Sequence, residues 1–198
     1  KTSLTELPRE LQNEICTLDP QLFIIWPLLC VQASKTRLNA NFRKHGLWLK
    51  WYQNGKLKLL REYKHGLKIR TSTWNESGQQ KAQRFYNNGQ LHKQATKWHD
   101  NGQIEEICNF KDGSPHGEIK RWYNNGQLRE LFYCKNGKQE GEGRTWGIKG
   151  NLKILCQYGN GKLNGPVKKW HPNGQVQEES YFKDGKIHGE VRRWHENG

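Results

Sequence analysis

The sequence predicts a mainly β fold: an elongated antiparallel β-hairpin repeat array, a single twisted solenoid-like sheet, with a short α-helical N-terminal cap. Three observations predict it. Tryptophans recur at near-constant spacing, a glycine follows each by four residues, and the segments between glycine columns are too short for stable helices.

The tryptophan column is Trp51, Trp74, Trp98, Trp122, Trp146, Trp170 and Trp194, spaced by 23 residues once and by 24 thereafter. The glycines four residues on are Gly55, Gly78, Gly102, Gly126, Gly150, Gly174 and Gly198, preceded by Asn except where Ser77 and Lys149 stand. A second glycine column, Gly66, Gly89, Gly113, Gly137, Gly161 and Gly185, lies eleven residues after the first. Before it comes an aromatic column of Tyr63, Tyr86, Phe110, Tyr158 and Phe182, with Cys134 in that place once. A third column, Gly46, Gly117, Gly141, Gly165 and Gly189, precedes Trp by five residues; copies two and three carry Ile69 and Lys93 there instead, and the sheet is expected to bend or bulge at those copies.

Each unit therefore has two turns joined by short arms. Asn-Gly between extended segments is a strong hairpin signal, because such turns need positive φ that Gly and Asn tolerate. The charges support pairing of the two arms. Where Lys97, Arg121 or Lys169 precedes Trp, Glu106, Glu130 or Glu178 stands four residues past the turn glycine. Where Thr73 or Thr145 precedes it, Ala82 or Ile154 stands there, and Lys50 with Leu59 is the exception. Opposite charges across a hairpin contribute about 0.2–1 kcal/mol each. Loops of two and of three residues fit this pattern equally well. The Trp and aromatic columns are expected to form the core of a thin sheet, since a core must recur in every unit.

Residues 1–33 break the pattern. Leu4, Leu7, Leu11, Ile15, Leu18 and Leu22 recur every three or four residues, an amphipathic helical stripe ended by Asp19-Pro20. Gln21–Gln32 reads as a second helix bent at Pro27, and residues 34–45 as a polar connector to the array at 46–198, six full units and a partial seventh. A terminal repeat leaves a sheet edge and an apolar end to be covered, so the head reads as a cap or as a partner-docking element. The chain contains no methionine, and an N-terminus altered by processing or trimming is expected.

Lys and Arg total 33 against 19 Asp and Glu, a formal charge of +14 that favours acidic partners: protein surfaces, nucleic acid or anionic lipid. The one apolar run, Leu22–Val31, is too short for a bilayer, which needs about 20 residues, so no transmembrane segment is expected. Five cysteines without CxxC spacing read as reduced thiols in an intracellular compartment. His99, His171 and His195 follow repeat tryptophans and read as polar turn positions, because equivalent residues roughly 10 Å apart cannot share one metal ion. No phosphate-loop motif or nucleophile–base set stands apart from the repeat, so no enzyme activity, metal or cofactor is expected.

Two segments carry family resemblances. The unit, seen best in Gly117–Glu140 and Gly165–His188, resembles the MORN-repeat variant, which implies hairpin repeats serving as scaffold, linker or lipid-surface adaptor. The head, Leu4–Pro20, is similar to the first part of an F-box at Leu7, Pro8, Glu10, Leu11, Glu14 and Ile15, which implies docking to a Skp1-type ubiquitin-ligase adaptor. Their combination resembles proteins of large DNA viruses infecting amoebae, which implies a place in the virion, as a minor capsid or cementing component among capsid proteins. The leading expectation is a non-enzymatic protein-interaction scaffold in the host cytoplasm or virion. An F-box-type substrate adaptor and a basic nucleic-acid or anionic-lipid module are the alternatives.

Overall fold

A computed structural model describes residues 46–197. The expected helical head (1–33), the connector (34–45) and Gly198 lie outside the described residues, as do the docking positions Leu7, Pro8, Glu10, Leu11 and Ile15. The described chain divides into two compact units, one ending at Gly89 and the other beginning at Gln90.

In the first unit β1 (Gly46–Trp51), β2 (Leu57–Lys64), β3 (Leu67–Trp74) and β4 (Gln80–Asn87) pair antiparallel, each with the next. The second opens with β5 (Gln90–Leu91) and β6 (Lys93–Trp98), followed by β7 (Ile104–Lys111), β8 (Ser114–Trp122) and β9 (Leu128–Lys135). The short β10 (Lys138–Gln139) precedes β11 (Gly141–Trp146), β12 (Leu152–Gly159), β13 (Lys162–Trp170) and β14 (Val176–Lys183). Two short strands, β15 (Lys186–Ile187) and β16 (Arg192–Arg193), both pair with β14. The long strands from β6 to β14 form one open antiparallel sheet in chain order, with β10 folded back onto β9. No helix occurs among the described residues.

The cross-arm pairs read from the charges are the register itself. Lys50↔Leu59, Thr73↔Ala82, Lys97↔Glu106, Arg121↔Glu130, Thr145↔Ile154 and Lys169↔Glu178 all stand directly opposite. A bulge follows each of these pairs, at the step to Trp.

The loop lengths left open by the sequence differ between the two turn columns. At the first turn Gly55 N–H donates to Tyr52 O at 3.0 Å, and the Tyr52 and Lys56 backbones close the loop through a 2.8 Å bond from Tyr52 N–H. This is a three-residue loop in which Gly55 alone takes a positive φ, of 79°, while Asn54 does not. The two-residue, doubly left-handed turn belongs to the second column, where Asn136 (φ 50°) and Gly137 (φ 81°) are representative. Asn-Gly suits both turns; only the distance between paired residues separates them.

The early-glycine column departs from expectation. Copy two does bulge, with Ile69 unpaired between Lys68 and Arg70. The wider irregularities, however, lie where the glycine is present, at Gly117 and Gly165, each inside a three-residue insertion opposite one residue. In copy three Lys93 itself adopts φ 63°.

Side chains alternate across a strand, so the register sorts the second unit into two faces. On one face a row of opposed residues runs Ala95, Cys108, Ile119 and Phe132, and again Gly143, Cys156, Val167 and Ser180. Cys108, Ile119, Cys156, Val167 and Ser180 in this row are buried, and so is Cys134, two residues beyond Phe132. Burying Ile119 alone contributes about 1.5–3 kcal/mol. Phe110, Tyr158 and Phe182 of the aromatic column lie on this thiol face, and Phe110 with Phe132 packs over Cys108, Ile119 and Cys134. Tyr63, Tyr86, Phe110, Tyr158 and Phe182 are all half-buried.

By the same alternation the tryptophans fall on the opposite, indole face. Lys168 Nζ, two residues before Trp170 on that face, lies 5.7 Å from its ring centroid. All seven indoles, Trp51 to Trp194, are half-buried, and in the second unit the least exposed positions belong to the other face. The residues that recur most strictly are thus not the most deeply buried.

Candidate functional site

Four of the first turns are each linked to the following one by side chains. Tyr52 Oη donates to Trp74 O at 2.9 Å, and Tyr123 Oη to Trp146 O at 2.9 Å. His99 Nε2 bonds Trp122 O at 2.9 Å, and His171 Nε2 bonds Trp194 O at 2.8 Å. A carbonyl only accepts, so each imidazole carries its proton on Nε2. His99 and His171 therefore share one role with Tyr52 and Tyr123, that of a brace to the next repeat.

The turn asparagines form a second brace. Asn54 Nδ2 donates to Glu76 O at 2.8 Å, Asn125 Nδ2 to Ile148 O at 3.0 Å, and Asn173 Nδ2 to Glu196 O at 2.7 Å; Asn101 does the same to Asn124 O. Each of these asparagines also accepts, through Oδ1, the backbone N–H two residues ahead, as Asn125 does from Gln127 at 3.0 Å. Asn serves these turns through its two-ended amide and not through a positive φ. Copies two and five, with Asn75/Ser77 and Gly147/Lys149, accept braces from the copy before.

The thiol face carries a charge ladder beside its buried row. Arg121 reaches Glu106 at 2.6 Å and Glu130 at 2.7 Å, bridging three strands, and lies 5.3 Å from the Phe132 ring. Glu178 is held between Lys169 at 3.0 Å and Arg193 at 2.9 Å, and these hydrogen bonds, Lys169 first, draw its carboxyl below the ordinary range. Lys97 departs from the ladder and pairs with Glu105 at 2.9 Å rather than with its register partner Glu106.

Cys108, Cys134 and Cys156 are free and buried. Burial pushes the Cys108 thiol up to about 11 and raises Cys134 and Cys156 in the same direction. Such thiols hold little thiolate at neutral pH and act as small apolar side chains. Tyr158, over Cys156, is pushed by burial to about 12. Among the described residues no three His, Cys, Asp or Glu side chains are grouped to hold a metal ion, and no helix is long and apolar enough to cross a membrane.

The indole face is where the sheet offers chemistry outward. Across its middle, Ile107, Lys120, Leu131, Arg144, Leu155 and Lys168 alternate strand by strand. Lys120 pairs with Glu118 at 2.5 Å, Arg144 with Glu142 at 2.6 Å and Lys168 with Glu179 at 2.7 Å, so this stripe is self-neutralised. The candidate site in the second unit is this surface, with the turn glycines Gly102, Gly126, Gly150 and Gly174 shaping one rim; Gly55 and Gly78, in the first unit, share their positive φ.

The MORN repeat variant matches residues 44–65, 91–112, 115–136 and 163–184. These are the four copies whose first turns carry both a Tyr or His brace and an Asn brace to the next turn. No curated protein matches the chain.

Proposed function

We propose, from the four MORN repeat variant matches, that this chain is a non-enzymatic scaffold that holds protein partners along an open β-sheet. One observation carries the reading: the side chains able to do chemistry are committed to the repeat. His99, His171, Tyr52 and Tyr123 are bonded to carbonyls of the following copy, and the three described thiols are buried with raised pKa. What faces outward in their place is the stripe of the indole face, in which aliphatic residues alternate with ion-paired Lys and Arg. Such a stripe suits a partly apolar protein surface with polar groups of both signs. The free, buried thiols support an intracellular setting.

Site-specific photocrosslinkers at Leu131 and Leu155, compared with Thr145 on the thiol face, test the reading in source extracts. Crosslinks to a discrete protein from the indole face, lost in Leu131→Asp with the circular dichroism of the array intact, are expected. Equal crosslinking from both faces would refute it.

Two finer readings rest on the resemblance of the head. Docking to a Skp1-type adaptor predicts co-purification that Leu11→Asp abolishes. A minor capsid or cementing role predicts recovery from purified particles at fixed stoichiometry after high-salt washing, and loss in the wash would remove it.

A further inference from the structure

Where both members of a thiol-face ladder pair in the second unit are charged, at Lys97↔Glu106, Arg121↔Glu130 and Lys169↔Glu178, the charges are opposite. At the second-turn rim of the second unit the reverse holds. Lys135 stands directly opposite Lys138, and Lys183 directly opposite Lys186. Like charges in that position destabilise a sheet; Lys138 also donates from Nζ to Asn160 Oδ1 in the next second turn at 2.9 Å, while no such bond ties Lys135, Lys183 or Lys186 among the described residues. Lys111 and Lys162 occupy the same positions in the neighbouring turns, opposite Ser114 and Gly159. All six lysines are exposed, and among the described residues none of them forms an ion pair. Alternation along β7, β9, β12 and β14 places the whole set on the indole face.

A second feature coincides with the two lysine pairs. Tyr133 precedes Lys135 by two residues and Tyr181 precedes Lys183 by two, so each ring lies on the same face as its lysines. These rings are 46% and 48% exposed, against half-buried aromatics elsewhere in the aromatic and Trp columns. Tyr133 is oriented by a 3.1 Å bond from its hydroxyl to Glu118, and Tyr181 has the His188 ring 6.4 Å away. Four strand spacings separate the two rings, roughly 19 Å.

We infer that this rim binds single-stranded nucleic acid, phosphates on the lysine row and bases stacked on Tyr133 and Tyr181. A row of ammonium groups tracks a linear backbone of phosphates, and open aromatic rings receive bases whatever the sequence. An acidic protein segment would satisfy the lysines and leave two exposed rings without a use. This activity goes beyond the scaffold reading and uses the rim rather than the central stripe.

The test is fluorescence anisotropy of the full chain with a labelled oligothymidylate of about 15 nucleotides. Heparin, polyglutamate and vesicles of phosphatidylserine with phosphatidylcholine serve as comparisons. Tyr133→Ala with Tyr181→Ala is expected to weaken oligonucleotide binding about tenfold and to leave heparin binding unchanged. The Tyr→Phe pair, which keeps the rings, should restore it. Lys135→Gln with Lys183→Gln should weaken oligonucleotide and heparin alike and flatten the salt dependence. Unchanged oligonucleotide affinity in the Tyr→Ala pair would overturn the proposal, as would binding of polyglutamate or vesicles but not oligonucleotide. Because Leu131→Asp lies outside the rim, its effect on protein crosslinking reports separately on the scaffold reading.

Discussion

Gly143 offers the sharpest test of the thin core. It holds a place in the buried row that Ala95, Ile119 and Val167 fill elsewhere, and its backbone is not left-handed, so alanine there carries no φ penalty. The obstacle is steric. A Cβ on Gly143 would sit 2.9 Å from Tyr158 Cε2, 3.2 Å from Cys156 Sγ and 3.3 Å from Tyr158 Cδ2. Relief needs the Tyr158 ring to move by about half an ångström or more, off the strands it covers, and overpacking of this kind costs about 1–3 kcal/mol. Since a repeat contacts only its neighbours, the loss should be local to β11, β12 and β13. Hydrogen exchange on the intact chain is the suitable assay: protection of Arg144, Ile154 and Lys168 amides should fall about 5- to 150-fold in Gly143→Ala, with Ile107 unaffected. Adding Tyr158→Leu should restore most of it by removing the ring edge. Wild-type protection in Gly143→Ala, or strictly additive losses in the double variant, would refute the packing argument.

Three other outcomes follow from the braces, the thiols and the charge ladder. Asn125→Ala should cost about 0.5–1.5 kcal/mol, and Lys149→Ala, at the equivalent position of copy five, close to nothing; equilibrium denaturation of both variants checks the contrast. Cys108, Cys134 and Cys156 should resist alkylation at pH 8 in the native chain and react in denaturant, because raised thiol pKa values and burial leave little accessible thiolate; mass mapping of each site reads this. Glu178 has a folded pKa below its unfolded value of 4.5, so its contribution is full above that pH and is lost as pH falls below it. Protection of the β14 and β16 amides should drop in that window, and Glu178→Gln should remove the pH dependence.

What was legible in the sequence was whatever recurs in chemical kind. The tryptophans, glycines and complementary charges repeat as recognisable types, and they yielded the strand pairs down to Arg121↔Glu130 and Lys169↔Glu178. The buried row did not show, because Ala95, Cys108, Ile119, Gly143, Cys156, Val167 and Ser180 share size limits rather than a chemical type. A signal was present, since each lies two residues from a ladder position and so on the same face. The turn lengths stayed open for a different reason. Asn-Gly is compatible with both loop geometries, and the asparagine amide's bond to a carbonyl 22 or 23 residues on has no signature within one unit. The rim lysines looked like dispersed positive charge until register set Lys135 against Lys138.

The direction of the turn braces carries a consequence for how such a chain lengthens. Every brace runs from a side chain in one copy to a main-chain oxygen in the next, and every residue owns such an oxygen. The incoming unit therefore needs no matching residue to be received, as copies two and five illustrate with their divergent turns. Tandem gene duplication could add whole units without waiting for a compensating mutation, and a newly added copy would be free to drift so long as its backbone held its course.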